Sequence, residues 1–190
     1  MHLTSSPVDW YAARAAGIVA YLLLSAVVAL GLTLSGRRRL PKWPRFALED
    51  VHRFAGILTG TFVAIHVATI AIDSYTPFSL TALLVPFVSS FKPLPVALGI
   101  VSAELLVALA VTNRLRGRGL SYRAWRRAHY LGFVVWAAAA AHGITAGTDR
   151  GGVWLLLVYG VSIAVIGGLL AARTPHYGTW IPRNRSAASS

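Results

Sequence analysis

The residues best suited to chemistry in this sequence are its histidines. Of six, His52 and His66 fall in one long apolar stretch and His129 and His142 in another, while His2 and His176 lie outside any such stretch. An ionisable side chain in a membrane-length apolar segment costs several kcal/mol unless it is paired or liganded, so each of the four is a functional candidate. The two stretches are separated by one other span and therefore run in the same direction across a membrane. Their first histidines share one depth and their second histidines another. Spacings of 14 and 13 residues, at 1.5 Å per residue, correspond to roughly 20 Å. Two facing pairs stacked along the membrane normal would hold two haems, each by bis-histidine axial ligation, which suits an electron wire across the membrane. A zinc or copper ion fits less well, because ligands about 20 Å apart in each span cannot share one ion. Histidines that merely hydrogen-bond between helices would account for one or two of the four. They would not account for equal depth on two parallel spans. The absence of cysteine excludes disulfide scaffolds, thiolate metal sites, iron-sulfur clusters and covalent attachment of a c-type haem.

The neighbouring residues agree with this reading. Gly56, Gly60 and Ala64 in one span, and Gly132 with Ala137 to Ala141 in the other, leave room for a flat macrocycle. The two segments form a weak repeat of His, Gly, second His, and an Asp seven residues further on, at Asp73 and Asp149. Arg53, Arg126 and Arg127 flank the first histidine pair and are candidates for the haem propionates, since guanidinium pairs well with carboxylate. Each is equally accounted for as a marker of the membrane's basic side. A spacing of 14 returns the second histidine to within about 40° of the first, but 13 leaves it about 140° away. The second histidine-bearing span must therefore be tilted, bent or locally rewound, or His129 must precede its regular part. Glu104, near the middle of the intervening span, is a buried-carboxyl candidate for proton uptake, a quinone site or a packing contact.

The elements that position these residues are membrane spans. Of the 190 residues 56% are hydrophobic and 13% charged, with a mean hydropathy of +0.61. That composition excludes a water-soluble globule. Five apolar stretches are long enough to cross about 30 Å of hydrocarbon: Trp10 to Leu34, Asp50 to Ile72, Leu94 to Thr112, Trp125 to Ala146 and Val153 to Ala172. The patch Phe78 to Phe87 is too short, carries Pro77 and Pro86, and reads as an interfacial or re-entrant helix. The expected fold is an all-α, multi-pass helical bundle of five transmembrane helices and this short helix, one domain over residues 1–190 with a Ser/Ala-rich tail at 186–190.

The basic residues set the expected orientation. Arg37, Arg38, Arg39, Lys42, Arg45 and Arg53 cluster around the first link, Arg114, Arg116, Arg118, Arg123, Arg126 and Arg127 around the link between spans three and four, and Arg173, Arg183 and Arg185 follow span five. With these on the cytoplasmic side, only Arg14, Lys92 and Arg150 remain outside, so the N-terminus is outside and the C-terminus inside a cytoplasmic membrane. Trp10, Trp43, Trp125, Trp154 and Trp180 fall at the expected interfaces. The net charge of +12 then reflects membrane topology, and no nucleic-acid partner is needed. No phosphate-binding glycine motif is present, so this chain is not expected to oxidise a nicotinamide cofactor without a partner.

The segments Val51-His52-Arg53-Phe54-Ala55-Gly56 to Ile65-His66-Val67, and Trp125-Arg126-Arg127-Ala128-His129-Tyr130 to Ala141-His142-Gly143, resemble the ferric reductase-like transmembrane domain. That family includes the membrane cores of NADPH oxidases and ferric reductases and the haem-binding subunit of bacterial methionine sulfoxide reductase systems. The resemblance spans about residues 14 to 172. It implies two b-type haems, one held by His52 with His129 and the other by His66 with His142. It implies electron transfer from a cytoplasmic flavin reductase to an extracytoplasmic acceptor, a protein or a small molecule. NADPH oxidases and ferric reductases carry a flavin and nicotinamide domain after the spans, and none is expected within these 190 residues. Alternative expectations are a quinone-coupled cytochrome b subunit, with quinol as donor, and a proton-coupled transporter using the histidines and Glu104.

Overall fold

Pro7 opens the first helix, a position where a missing N–H costs nothing, and the apolar run after it continues unbroken to Ser35. A computed structural model describes residues 7–36, 43–73, 78–147 and 152–173. Among these residues there are seven helices and no strand: α1 (Pro7–Ser35), α2 (Arg45–Ile72), α3 (Leu80–Leu84), α4 (Pro93–Leu115), α5 (Tyr122–His129), α6 (Leu131–Ala146) and α7 (Val153–Ala171). Arg37, Arg38, Arg39, Lys42, Arg150, Arg183 and Arg185 of the charge pattern lie outside the described residues. So do His2, His176, Pro77, Asp149, Trp180 and the 186–190 tail.

The chain is a helical membrane bundle. Helices α1, α2, α4 and α7 are each long and apolar enough to cross a membrane. Their outward faces are apolar, as a lipid environment requires: on α7 alone Leu156, Leu157, Val161, Ile163 and Val165 are exposed. The expected span from Trp125 to Ala146 is not a single helix. It divides at Tyr130, whose N–H bonds back to the carbonyls of Arg127 and Ala128, while the Phe133 N–H bonds to the Tyr130 carbonyl at 3.1 Å. The bonds to Arg127 and Tyr130, each spanning three residues, tighten the turn and reset the helical phase. The physical reason is composition. Helix α5 carries Arg123, Arg126 and Arg127, all exposed, and cannot lie in hydrocarbon, whereas the 16 residues of α6 are apolar but for His142 and two threonine or tryptophan polar atoms. Helix α6 is about 24 Å long, most of the hydrocarbon thickness. The short α3 is capped by Ser79, whose hydroxyl accepts from the Ala82 N–H, and it exposes Leu80 and Leu84.

Two antiparallel helix pairs make the frame. Helix α1 lies along α2, and α4 lies along α6, where the Ser102 hydroxyl donates to the Val135 carbonyl at 3.0 Å. Helix α7 packs on α1 and α6 through the buried cluster of Tyr21, Ala140, Leu155 and Tyr159. Within it the Tyr21 and Ser162 hydroxyls are hydrogen-bonded and the two tyrosine rings lie 4.6 Å apart. The Trp136 indole N–H donates to the Ser25 hydroxyl at 3.0 Å, tying α6 to α1. Two cations cap helix C-termini, where the carbonyls carry partial negative charge. Lys92 Nζ donates to the Ala146 carbonyl at 2.9 Å, and the Arg173 guanidinium donates to the Leu32 carbonyl and the Ser35 hydroxyl. Helices α2 and α6, by contrast, barely touch. The space between them is where the histidines meet.

Candidate functional site

Helices α2 and α6 run parallel on opposite sides of this space. The structure brings His52 together with His129, ring centroids 6.2 Å apart, and His66 with His142, centroids 6.3 Å apart. Interplanar angles are 65° and 77°. Two imidazoles that hold one metal ion between their facing nitrogens, at about 2.0 to 2.1 Å each and with the ring centre about 1.1 Å beyond, have centroids roughly 6.3 Å apart. Both pairs have that separation. Among the described residues no group of three or more His, Cys, Asp or Glu converges on one point. A zinc centre, which takes three or four protein ligands, is therefore not formed by them.

Three of the four rings are held in the same way. The Nδ1–H of His52 donates to the Val27 carbonyl at 3.0 Å, that of His66 to Ala13 at 2.7 Å, and that of His142 to Pro95 at 2.8 Å. A helix carbonyl that takes the Nδ1 proton fixes the tautomer and leaves Nε2 with its lone pair available to a metal. Each carbonyl lies one turn before a glycine: Gly31 after Val27, Gly17 after Ala13, Gly99 after Pro95. The ring sits in the notch that the glycine leaves. A Cβ at Gly99 would stand 2.7 Å from His142 Nδ1, at Gly17 3.0 Å from His66 Nδ1, and at Gly31 3.3 Å from His52 Cε1. These three glycines escaped the sequence reading, which looked for space only on the histidine-bearing spans. A signal was there: Gly17 and Gly31 are 14 residues apart, as are His52 and His66, on two helices that run antiparallel.

His129 differs. It is the last residue of α5 and precedes the regular part of α6, which answers the phase mismatch of the 13-residue spacing. Among the described residues its ring donates to no helix carbonyl and instead stacks on Trp125, at 5.0 Å and 23°. Desolvation, then His52 and the Arg116 guanidinium, push its pKa below the usual 6.5.

The glycines expected to leave space fall in two classes. Gly56 and Gly60, on α2 between the two histidine levels, would meet nothing within 4 Å if given a Cβ, whereas Gly132 would touch Leu109 at 3.9 Å. The α2 side of the gap is thus open where a flat cofactor would need it, and together with the paired rings this fits bis-histidine haem ligation. Gly143 is filled from another direction, since the Tyr159 hydroxyl occupies the place of its side chain.

The arginines expected to flank the first pair and meet the propionates are all on the exposed surface of α2 and α5. Arg53 is exposed and stands 4.0 Å from Asp50, Arg126 donates to the Tyr130 hydroxyl at 3.3 Å, and Arg127 is exposed on α5. The cation tied most closely to that pair is Arg116, through Trp125. Glu104 is exposed on α4. It lies two residues past Ser102, about 200° round the helix from the face that meets α6, and so on the side away from the histidines.

Comparison with known families returns a match over residues 16–140 to the ferric reductase like transmembrane component. The matched stretch is well over half of the chain and contains three of the four paired histidines. Neither the curated proteins nor the solved structures include a match.

Proposed function

This chain belongs to the family of ferric reductase-like transmembrane components, and from that premise we propose that it carries electrons across a membrane by way of two b-type haems. His52 and His129 would hold one, His66 and His142 the other. The observation that carries this reading is the pair of equal imidazole separations, 6.2 and 6.3 Å, with Nε2 left free of the carbonyl bond on His52, His66 and His142. When bound, haem supplies reversible one-electron chemistry at iron, with a potential set by axial ligands, hydrogen bonding and burial.

The rest is the work of the protein. The carbonyls of Val27, Ala13 and Pro95 orient three imidazoles and raise their basicity. Gly56 and Gly60 keep the gap open. Arg53, Arg126 and Arg127 supply guanidiniums at the level of the first pair, suited to propionate carboxylates there. The exposed basic residues Arg114, Arg116, Arg118, Arg123, Arg126 and Arg127 form a surface that would steer an acidic electron donor, in our reading a cytoplasmic flavoprotein. The acceptor would then meet the His66 and His142 end on the extracytoplasmic side. The position of Glu104, turned away from the histidines, speaks against a proton path built from both.

Purified protein is expected to give the split-band optical spectrum of low-spin haem on reduction, and a pyridine haemochrome value of about two haems per chain. A colourless preparation, after haem has been supplied during expression, would refute the proposal. Orientation is tested separately. With the basic end inside, reporter fusions after Gly147 and after Arg173 should report opposite sides, the first outside and the second inside. Both on one side would mean that α7 does not span.

A further inference from the structure

His129 lacks the support that its three counterparts have. His52, His66 and His142 are each fixed by a carbonyl of a neighbouring helix and seated over a glycine. His129 lies before the break at Tyr130, on a helix that packs mainly on α4 and α6 among the described residues. What it has is Trp125, one turn earlier on the same face of α5, where residues four apart meet. The two rings stack at 5.0 Å and 23°.

Trp125 is itself fixed from the other side. The Arg116 guanidinium lies 4.4 Å over the indole ring, a cation–π contact, and the indole N–H donates to the Asn113 side-chain oxygen at 3.2 Å. Tyr122 adds a tilted ring contact at 5.5 Å. Asn113 belongs to α4 and Arg116 to the turn that follows it, so the indole is clamped to the end of α4 independently of any histidine. We propose that Trp125 is a positioning residue for the His129 imidazole, replacing by an aromatic stack the carbonyl that holds each of the other three. The proposal rests on the di-haem reading above and concerns the ligand geometry of one of its two sites.

The two kinds of support differ in what they fix. A carbonyl fixes ring plane and tautomer together, whereas a stack fixes the plane and leaves Nδ1 unbonded. The His52–His129 site should therefore have one firmly and one less firmly held ligand, and its ligand exchange should depend on Trp125. The other site should not.

The test uses the full-length haem-loaded protein with Trp125→Leu, Trp125→Phe and Arg116→Gln. Binding of carbon monoxide to the reduced protein requires an axial histidine to leave, and the low-spin electron paramagnetic resonance signals report ring orientation at each haem. In Trp125→Leu one haem should bind carbon monoxide roughly two- to tenfold faster, the range set by loss of an aromatic contact, and its low-spin signal should move. The second haem should keep its rate and signal. Trp125→Phe, which retains an aromatic face, and Arg116→Gln, which loosens the clamp, should give smaller changes at the same haem. If Trp125→Leu loses that haem altogether, Trp125→Phe decides by the same readings. Unchanged rate and signals in Trp125→Phe and Trp125→Leu would overturn the positioning role while leaving the di-haem reading intact. Absence of two low-spin signals in the unsubstituted protein would overturn that reading itself, and the proposal with it.

Discussion

His52→Ala and His129→Ala should each lower the haem content from about two to about one per chain, because a bis-histidine site that loses an axial ligand becomes a weaker five-coordinate site. The same loss is expected of His66→Ala and His142→Ala at the other site. The expectation follows from the pairing: His52 faces His129 and His66 faces His142, and no ring of one pair contacts the other. A double substitution within a pair should therefore cost no more haem than a single one, while a double substitution across the pairs, His52→Ala with His142→Ala, should leave almost none. Haemochrome titration of purified protein measures this directly. If a single substitution removes both haems, the two sites depend on each other for folding. If none removes any, the histidines are not the ligands. The His129→Ala protein should also keep more residual haem than His52→Ala, since the remaining ligand in the first case is the carbonyl-supported ring of His52.

Much of this architecture was legible in the sequence because membrane insertion imposes a one-dimensional rule. Apolar length marks the spans, and α1, α2, α4 and α7 lie within a few residues of the stretches expected. The facing of the histidines was legible for the same reason: parallel helices with nearly equal histidine spacing place them level. The break at Tyr130 was signalled only as a mismatch of angle. The chain resolves it by giving the polar segment with three arginines a helix of its own, a choice made by solvation and not by helix propensity. Gly17, Gly31 and Gly99 were hidden for a different reason. Their role depends on which helix lies against which histidine, and only the antiparallel packing of α1 on α2 and α4 on α6 supplies that. Arg53, Arg126 and Arg127, expected at the propionates, are all exposed; Arg53 is next to His52, about 100° round the helix, while Arg126 and Arg127 lie three and two residues before His129, about 60° and 160° from it. Arg116, 13 residues from His129, lies over Trp125, on which His129 stacks, because the turn after α4 folds it back there.

The glycine seats give a graded prediction in which the fold and the cofactor site respond differently. In a helix interior, Gly to Ala favours the helix by up to about 1 kcal/mol, which offsets the disturbed ring-to-carbonyl hydrogen bond, worth about 0.5 to 1.5 kcal/mol, so alanine at position 17, 31 or 99 should leave the apoprotein folded with little change in stability. The new methyl group, however, enters the notch that the imidazole occupies. At Gly99 the Cβ would come within 2.7 Å of His142 Nδ1 and 2.8 Å of Cε1, closer than such atoms approach, so the ring must move off the Pro95 carbonyl. At Gly17 the nearest approach is 3.0 Å to His66 Nδ1, and at Gly31 it is 3.3 Å to His52 Cε1, where a shift of a few tenths of an ångström suffices. Groups that orient a metal-bound histidine are worth about 10- to 100-fold in affinity. Gly99→Ala should accordingly lose most, within that range and at the His66–His142 site only. Gly17→Ala should lose less at the same site, and Gly31→Ala least, at the other. Gly56→Leu and Gly60→Leu complete the series from the opposite side of the gap. A Cβ at either position would meet nothing within 4 Å, so a larger side chain there starts into open space and should obstruct the cofactor. Haem titration into apoprotein, followed in parallel with thermal unfolding of the apoprotein, separates the two effects. Equal haem affinity across Gly99→Ala, Gly17→Ala and Gly31→Ala would mean that the carbonyl and glycine seats do not hold the ligands. A loss of apoprotein stability that tracks the loss of affinity would make them packing contacts of the bundle instead.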